Sequence, residues 1–152
     1  MKALLFIFLC IFGWFSSVPF EVVEATSQFS AGGRAESGTA TTYTFKIVAG
    51  QSSEKLSIDE VWVDTLYFKA QPYKQNADLS FDQTWEKGDT LFLKVTQRKL
   101  PDGKGGLKDF NGPVKKIPHK YEGKALIGYT IKGKRKYLTV NEIKVLPRAY
   151  YQ

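Results

Sequence analysis

Short stretches of the chain alternate between apolar and polar residues, a pattern that is typical of half-buried β-strands. Tyr43, Phe45 and Ile47 form one apolar row, and the residues between them are polar or charged. No stretch carries apolar residues at a sustained helical period of about 3.6 residues. The pattern predicts strands at 41–48, Leu56–Val63, 65–73, 90–98, Ala125–Ile131 and 137–146.

Turn-forming residues separate these stretches and indicate the fold class. Pro113 and Pro118 argue against a central strand in the irregular segment 100–123, because proline cannot donate to a strand ladder. We expect an all-β fold, a single small β-sandwich with an immunoglobulin-like arrangement of about six to eight short antiparallel strands. A small β-barrel is the alternative. The Cys, Trp, Cys spacing that marks a true immunoglobulin domain is absent, since the chain has one Cys.

Two eight-residue segments, Leu56–Val63 and 138–145, match in chemical type at every position except that of Trp62. In both segments the strict alternation fails in the middle, and one extra residue in a β-bulge would restore the apolar row to a single face. The bulges are predicted at Asp59 with Glu60 and at Asn141 with Glu142.

The beginning of the chain has the layout of a secretory signal peptide. Lys2 precedes an apolar run of about 13 residues, and polar residues return at Ser16. The run is shorter than the roughly 20 residues that a helix needs to cross a bilayer. Small residues favour cleavage after Ala25, with Ser17 as a second position. An uncleaved membrane anchor is the alternative interpretation.

These features predict three parts: a signal peptide at 1–25, a flexible lead-in at 26–40 and a single all-β domain at 41–152. The only Cys, Cys10, would leave with the signal. The exported domain would then have no disulfide and would depend on hydrophobic packing. We expect the protein to be secreted or periplasmic.

The chain is basic, with a formal charge of +7. Loss of one Lys and two Glu with the signal would raise this charge to +8. Outside the cytoplasm the anions that such a protein meets are lipid head groups, anionic polysaccharides and acidic proteins, so nucleic acid is not an expected partner.

Two clusters of basic residues are candidate contacts for a polyanion, one in the irregular segment and one at the tip of the last predicted hairpin, 132–136. Tyr121 and Tyr137 lie near them in sequence and could add stacking contacts. The candidate residues are Lys115, Lys116, Lys120, Lys132, Lys134, Arg135 and Lys136.

Few residues could carry catalysis. His119 is the only His, and the lysines beside it would depress its pKa rather than make it a stronger base. With one His and no Cys, a zinc site would need several carboxylates, so we expect neither a metal nor another cofactor. Carboxylates could still act as the acid and base of a glycoside hydrolase, with Trp62 stacking on a sugar. The candidates are Asp59, Glu60, Asp64 and Glu142.

The leading functional prediction is a non-enzymatic exported β-domain that works by contact, as a binding or structural module at the cell envelope or outside the cell. Its partner would be a protein or a polysaccharide, and it would touch a membrane only through an uncleaved signal segment. The two alternatives are a small carbohydrate-active hydrolase and a polyanion binder that uses the basic hairpin tip.

Overall fold

The computed structural model describes residues 18–32, 38–110, 112 and 114–151, and these residues form strands joined by turns and loops, without helices. The strands are β1 (Phe20–Gly32), β2 (Thr39–Ala49), β3 (Leu56–Val63), β4 (Leu66–Lys69), β5 (Lys74–Gln75), β6 (Phe81–Asp82), β7 (Thr90–Pro101), β8 (Leu107–Phe110), β9 (Ala125–Ile131), β10 (Lys134–Val140), β11 (Lys144–Val145) and β12 (Ala149–Tyr151).

The strands form two main sheets. The larger sheet has the order β11-β1-β2-β7-β8, and β12 also pairs with β1. The smaller sheet has the order β10-β9-β3-β4, and β5 and β6 form a separate hairpin. The pairs are antiparallel except those of β1 with β11 and β12, which are parallel. The all-β prediction and the sandwich architecture are confirmed, and the described strands do not close into a barrel.

The core lies between the two sheets and follows the alternation seen in the sequence. On the larger sheet, Phe45 and Ile47 of β2 and Leu91 of β7 are fully buried. On the smaller sheet, Val61 and Ile127 face them in the same core. Because side chains of a strand alternate between its two faces, one apolar row from each strand is enough to build this core.

The first strand, β1, differs from the prediction. Residues 26–32 belong to β1, and Thr39 and Ala40 belong to β2, so the expectation of a flexible lead-in at 26–40 is wrong for its described part. Residues 33–37 lie outside the described residues. The lead-in looked flexible because it is small and polar, but its backbone is held by the β1–β2 ladder, which needs no apolar side chains.

The structure also bears on the predicted cleavage position. Phe20 and Ala25 are buried in the core, and the Phe20 ring packs edge-on against Tyr129 at 5.1 Å between ring centroids. Cleavage after Ala25 would remove both residues and the start of β1. Cleavage after Ser17 would leave β1 whole. Residues 1–17, which carry the predicted signal pattern, lie outside the described residues.

One of the two predicted bulges is present. The register between β3 and β9 shifts between Ile58 and Glu60, so Asp59 is the extra residue. The prediction for Asn141 and Glu142 is wrong: β10 ends at Val140, and the chain crosses to the larger sheet, where Lys144 pairs with Thr26. The difference follows from position, because β3 has a partner on each side whereas β10 is an edge strand that can leave its sheet.

In the described part of the chain, no helix has the length and apolar character that crossing a membrane would require.

Candidate functional site

The outer face of the smaller sheet carries a group of charged and aromatic side chains, which we call the outer-face cluster. The bulge at Asp59 places this group. After the bulge, Val61 and Val63 face the core, while Glu60 and Trp62 point to the other side of the sheet. The cluster consists of Glu60, Trp62, Tyr67, Lys115, Arg135 and Tyr137.

Glu60 is the buried charge of this cluster, with 7% of its surface exposed. Its carboxylate accepts hydrogen bonds from Lys115, from Arg135 and, at 3.2 Å, from the hydroxyl of Tyr67. Arg135 also donates to Asp59 at 2.6 Å. Gly128 lies opposite Glu60 on β9, and a Cβ atom there would stand 2.5 Å from Nη2 of Arg135, so the glycine makes room for the guanidinium.

The pKa of Glu60 is set by two opposing effects. Burial by itself would raise this pKa, but the hydrogen bond from Lys115 and the charges of Arg135 and Lys115 outweigh burial and hold the pKa below its ordinary value. The hydrogen bond to Glu60 raises the pKa of Lys115 in turn. Glu60 is therefore ionised at neutral pH, whereas the acid of a glycosidase needs a raised pKa.

A part of the irregular region covers the aromatic side of the cluster. We call residues 114–121 the covering segment. The indole Nε1 of Trp62 donates to the backbone oxygen of Lys115 at 3.2 Å, and the hydroxyl of Tyr121 donates to the backbone oxygen of Asp64 at 2.9 Å. His119 packs edge-on against Tyr137, with 5.3 Å between ring centroids. Trp62 is fully buried as a result.

The structure divides the four candidate carboxylates among three places. Asp59 and Glu60 are adjacent and share Arg135 as a partner. Asp64 lies in the turn between β3 and β4, where its backbone has a positive φ of 52°. Glu142 lies between β10 and β11. Only the first two are brought together, and both are held in ion pairs.

The seven candidate cations are also divided. Lys115 and Arg135 belong to the outer-face cluster, where Glu60 and Asp59 partly neutralise them. Arg135 faces outward on β10, and strand alternation puts Lys134 and Lys136 on the opposite face. The basic tip is therefore not one surface. The other candidates are exposed and form no ion pair within the described chain: Lys116, Lys120, Lys132, Lys134 and Lys136.

A groove opens on one side of the sandwich, between the beginning of β1 and the edge strand β10. Its volume is about 1050 Å³. The side chains of Val22, Leu138 and Ile143 are half-buried against the core and reach this groove. Charged residues surround the apolar floor: Glu21, Glu24, Lys124, Glu142 and Lys144.

The groove also borders backbone without a strand partner. Residues 20–25 of β1, apart from the bulged Val23, pair with β2 on one side, but on the other side no strand of the described chain pairs with them. The later part of β1 is paired on both sides, for example at Thr26 with Lys144 and at Ser30 with Ala149. The groove therefore exposes an open sheet edge and a strip of core.

Sequence reasoning missed this groove because it assigned residues 20–25 to the signal. The apolar alternation of Phe20 and Val22 was present, and it continues to Ala25 once the bulge between Val22 and Glu24 is allowed for. This strand pattern was hard to recognise because the long apolar run of the predicted signal peptide comes directly before it.

Among the described residues, no three His, Cys, Asp or Glu side chains are placed to hold a metal ion. Comparisons of the chain with protein-family models, with curated proteins and with solved structures found no significant match.

Proposed function

We propose that this protein is an exported, non-enzymatic β-domain that works by contact, and that it binds an extended segment of a protein partner in the groove between β1 and β10. The observation that carries the proposal is the open edge at residues 20–25, which lies beside apolar side chains of the core. An added strand would pair with this edge and cover those side chains, as in β-strand addition.

Two physical arguments support a strand as the bound form. Backbone N–H and C=O groups at a free sheet edge bind another extended backbone without regard to its sequence. The half-buried Val22, Leu138 and Ile143 would then select alternate apolar side chains of the incoming strand, because these point to one face. The charged rim would help to fix its direction.

Export belongs to the same proposal. The signal pattern at the start of the chain supports passage through a secretion system, and the burial of Phe20 and Ala25 favours removal of residues 1–17. A chain that begins at Val18 keeps the whole of β1 and the open edge. A secreted or periplasmic location follows from this proposal.

The test is site-specific photocrosslinking in producing cells. A photoreactive residue replaces Val23, whose side chain is 48% exposed and lines the groove. The matched control carries the same residue in place of Leu79, which is 71% exposed in the turn before β6. We expect a reproducible protein adduct from position 23 only, with the crosslink in an extended segment of the partner.

Hydrogen exchange then tests the mode of binding. A synthetic peptide that copies the crosslinked segment should slow exchange of those amides within residues 20–25 that point to the open edge, because they would enter a ladder. Adducts of equal yield from positions 23 and 79 contradict the proposal. A peptide that binds without protecting β1 contradicts strand addition.

A further inference from the structure

The outer face of the larger sheet carries cations that sequence reasoning did not single out. Leu91, Leu93 and Val95 of β7 face the core, so Lys94 and Arg98 lie on the outer face. Arg98 pairs in register with Phe110 of β8, and Leu100 with Lys108, which places Phe110 and Lys108 on this face too. We call Lys94, Arg98 and Lys108 the basic row.

The basic row is free to meet an external anion. All three side chains belong to exposed residues, and none forms an ion pair within the described chain. Lys94 and Arg98 are four residues apart on one strand, a separation of about 13 Å. Asp109 of β8 points to the opposite face, where it forms an ion pair with Lys99 at 3.7 Å. Its carboxylate therefore does not neutralise the row.

A small polar depression adjoins the basic row. It has a volume of about 110 Å³ and is lined by hydroxyl and amide groups of β1 and β2 together with Lys94 and Leu146. Thr42 is hydrogen-bonded to Thr96 of β7 at 3.2 Å, so the hydroxyl surface continues onto the strand that carries the cations. The other hydroxyl and amide side chains of the depression are Thr26, Gln28, Ser30 and Thr44.

The charge on this face is polarised along the strands. Glu24 pairs in register with Lys46, and Glu21 pairs with Val48, so both carboxylates lie at the opposite end of the sheet from Arg98. Lys46 offsets part of this negative charge, so an anion is attracted more strongly to the end near β8 than to the other end.

We propose that the basic row and the adjoining hydroxyl depression bind an anionic polysaccharide. Cations on rigid strands would bind its carboxylate or sulfate groups, and hydroxyls and the amide would bind its sugar hydroxyls. The ring of Phe110, which is 68% exposed beside Arg98, offers a flat apolar surface to a sugar ring. This surface is separate from the groove and does not depend on the proposed protein partner.

The test compares two variants with the same loss of charge. One is Lys94→Gln with Arg98→Gln and Lys108→Gln on the sheet face. The other is Lys132→Gln with Lys134→Gln and Lys136→Gln at the hairpin tip, which removes three exposed cations elsewhere. Polygalacturonate is the probe, and titration calorimetry at low salt measures its affinity. Neutral dextran is the control polymer.

We expect the sheet-face variant to bind polygalacturonate roughly tenfold more weakly, since each exposed charge contact contributes a modest free energy. The tip variant should differ from the parent less than about twofold, and affinity should fall with salt as the charges are screened. Circular dichroism checks that both variants keep the parent fold.

Equal weakening by the two variants would show that net charge alone drives binding, and this would overturn the proposed site. Weakening by the tip variant only would also overturn it, as would a parent protein that fails to bind polygalacturonate at low salt. Tighter binding to phosphatidylglycerol vesicles than to the polysaccharide would replace the proposed partner with a lipid surface. None of these results affects the crosslinking test of the groove.

Discussion

The indole Nε1 of Trp62 donates a hydrogen bond to the backbone oxygen of Lys115 at 3.2 Å, and this bond ties β3 to the covering segment. The side chain of Lys115 also binds Glu60. One residue therefore fixes the covering segment through both its backbone and its side chain. Because no strand of the described chain pairs with the covering segment, these contacts, the bond from Tyr121 and the packing of His119 on Tyr137 hold it in place.

Replacement of Trp62 by Phe should release this segment. The ring remains apolar, but the indole donor is lost and a small void is left, so we expect the free energy of unfolding to fall by about 2 kcal/mol. Amides of residues 114–121 should exchange faster than in the parent. Urea denaturation measures the first effect, and hydrogen exchange with mass spectrometry measures the second.

Trp85 provides the control for this prediction. It is also buried, and its Nε1 donates to the backbone oxygen of Gln51 at 3.1 Å, away from the covering segment. Trp85→Phe should lower stability by a similar amount and leave exchange at 114–121 unchanged. Faster exchange there in both variants would mean that the segment responds to global stability and not to Trp62.

The buried carboxylate of Glu60 should make stability depend on pH. Its pKa in the folded protein is below the unfolded value of about 4.3, so it stabilises the fold above the unfolded pKa, and this contribution is lost as the pH falls through the folded value. Glu60→Gln should cost about 2 kcal/mol at pH 7. The difference from the parent should shrink below about pH 4.

Denaturation curves at several pH values between 3 and 7 check this prediction. Asp59→Asn is the matched control, because the Asp59 side chain is 48% exposed and pairs only with Arg135 among the described residues. We expect it to cost less than 1 kcal/mol. A Glu60→Gln variant that keeps the acid sensitivity of the parent would contradict the assignment of that sensitivity to Glu60.

A side chain larger than hydrogen at position 128 should collide with Arg135. An added methyl group would stand 2.5 Å from Nη2 of Arg135 and would push the guanidinium away from Glu60. Gly128→Ala should therefore destabilise the parent by about 1–3 kcal/mol. In an Arg135→Ala background the same change should cost less than half as much, because only the contact with Cβ of Glu60 at 3.2 Å remains.

A double-mutant cycle with Gly128→Ala and Arg135→Ala measures this coupling. If the effects of the two changes are additive, Gly128 is required for a reason other than making room for the side chain of Arg135. The tip residue Lys134→Ala serves as the matched background, since its side chain lies on the other face of β10.

The alternation pattern predicted the two strands that border the core of the smaller sheet at their observed bounds, Leu56–Val63 and Ala125–Ile131. These strands are buried on the core side along their whole length, so apolar spacing alone defines them. The pattern also predicted the bulge at Asp59, because only an extra residue lets Ile58 and Val61 share the core face. It did not predict β8, whose four residues are all exposed and leave no buried row to detect.

The candidate site was less predictable than the fold. Basic residues that are neighbours in sequence, such as Arg135 and Lys136, point to opposite faces of β10, so a cluster in sequence is not a cluster in space. The pairing of Glu60 with Lys115 joins residues 55 positions apart. No local sequence pattern predicts such a contact, because the contact depends on where the irregular segment crosses the smaller sheet.

The last prediction concerns the residue at which the chain would begin after the proposed export. Phe20 packs in the core against Tyr129, so Phe20→Ala should cost about 3–5 kcal/mol. A chain that starts at Val18 should fold, whereas one that starts at Thr26 lacks Phe20, Val22 and Ala25 of the core and should lose cooperative unfolding. Val18→Ala is the control, because that side chain is 61% exposed and its loss should cost less than about 0.5 kcal/mol.

Thermal denaturation followed by circular dichroism compares the four proteins, and N-terminal sequencing of the exported protein should give Val18 as the first residue. A chain from Thr26 that unfolds as cooperatively as the longer one would show that the beginning of β1 is dispensable, and an exported protein that begins at Thr26 would restore cleavage after Ala25.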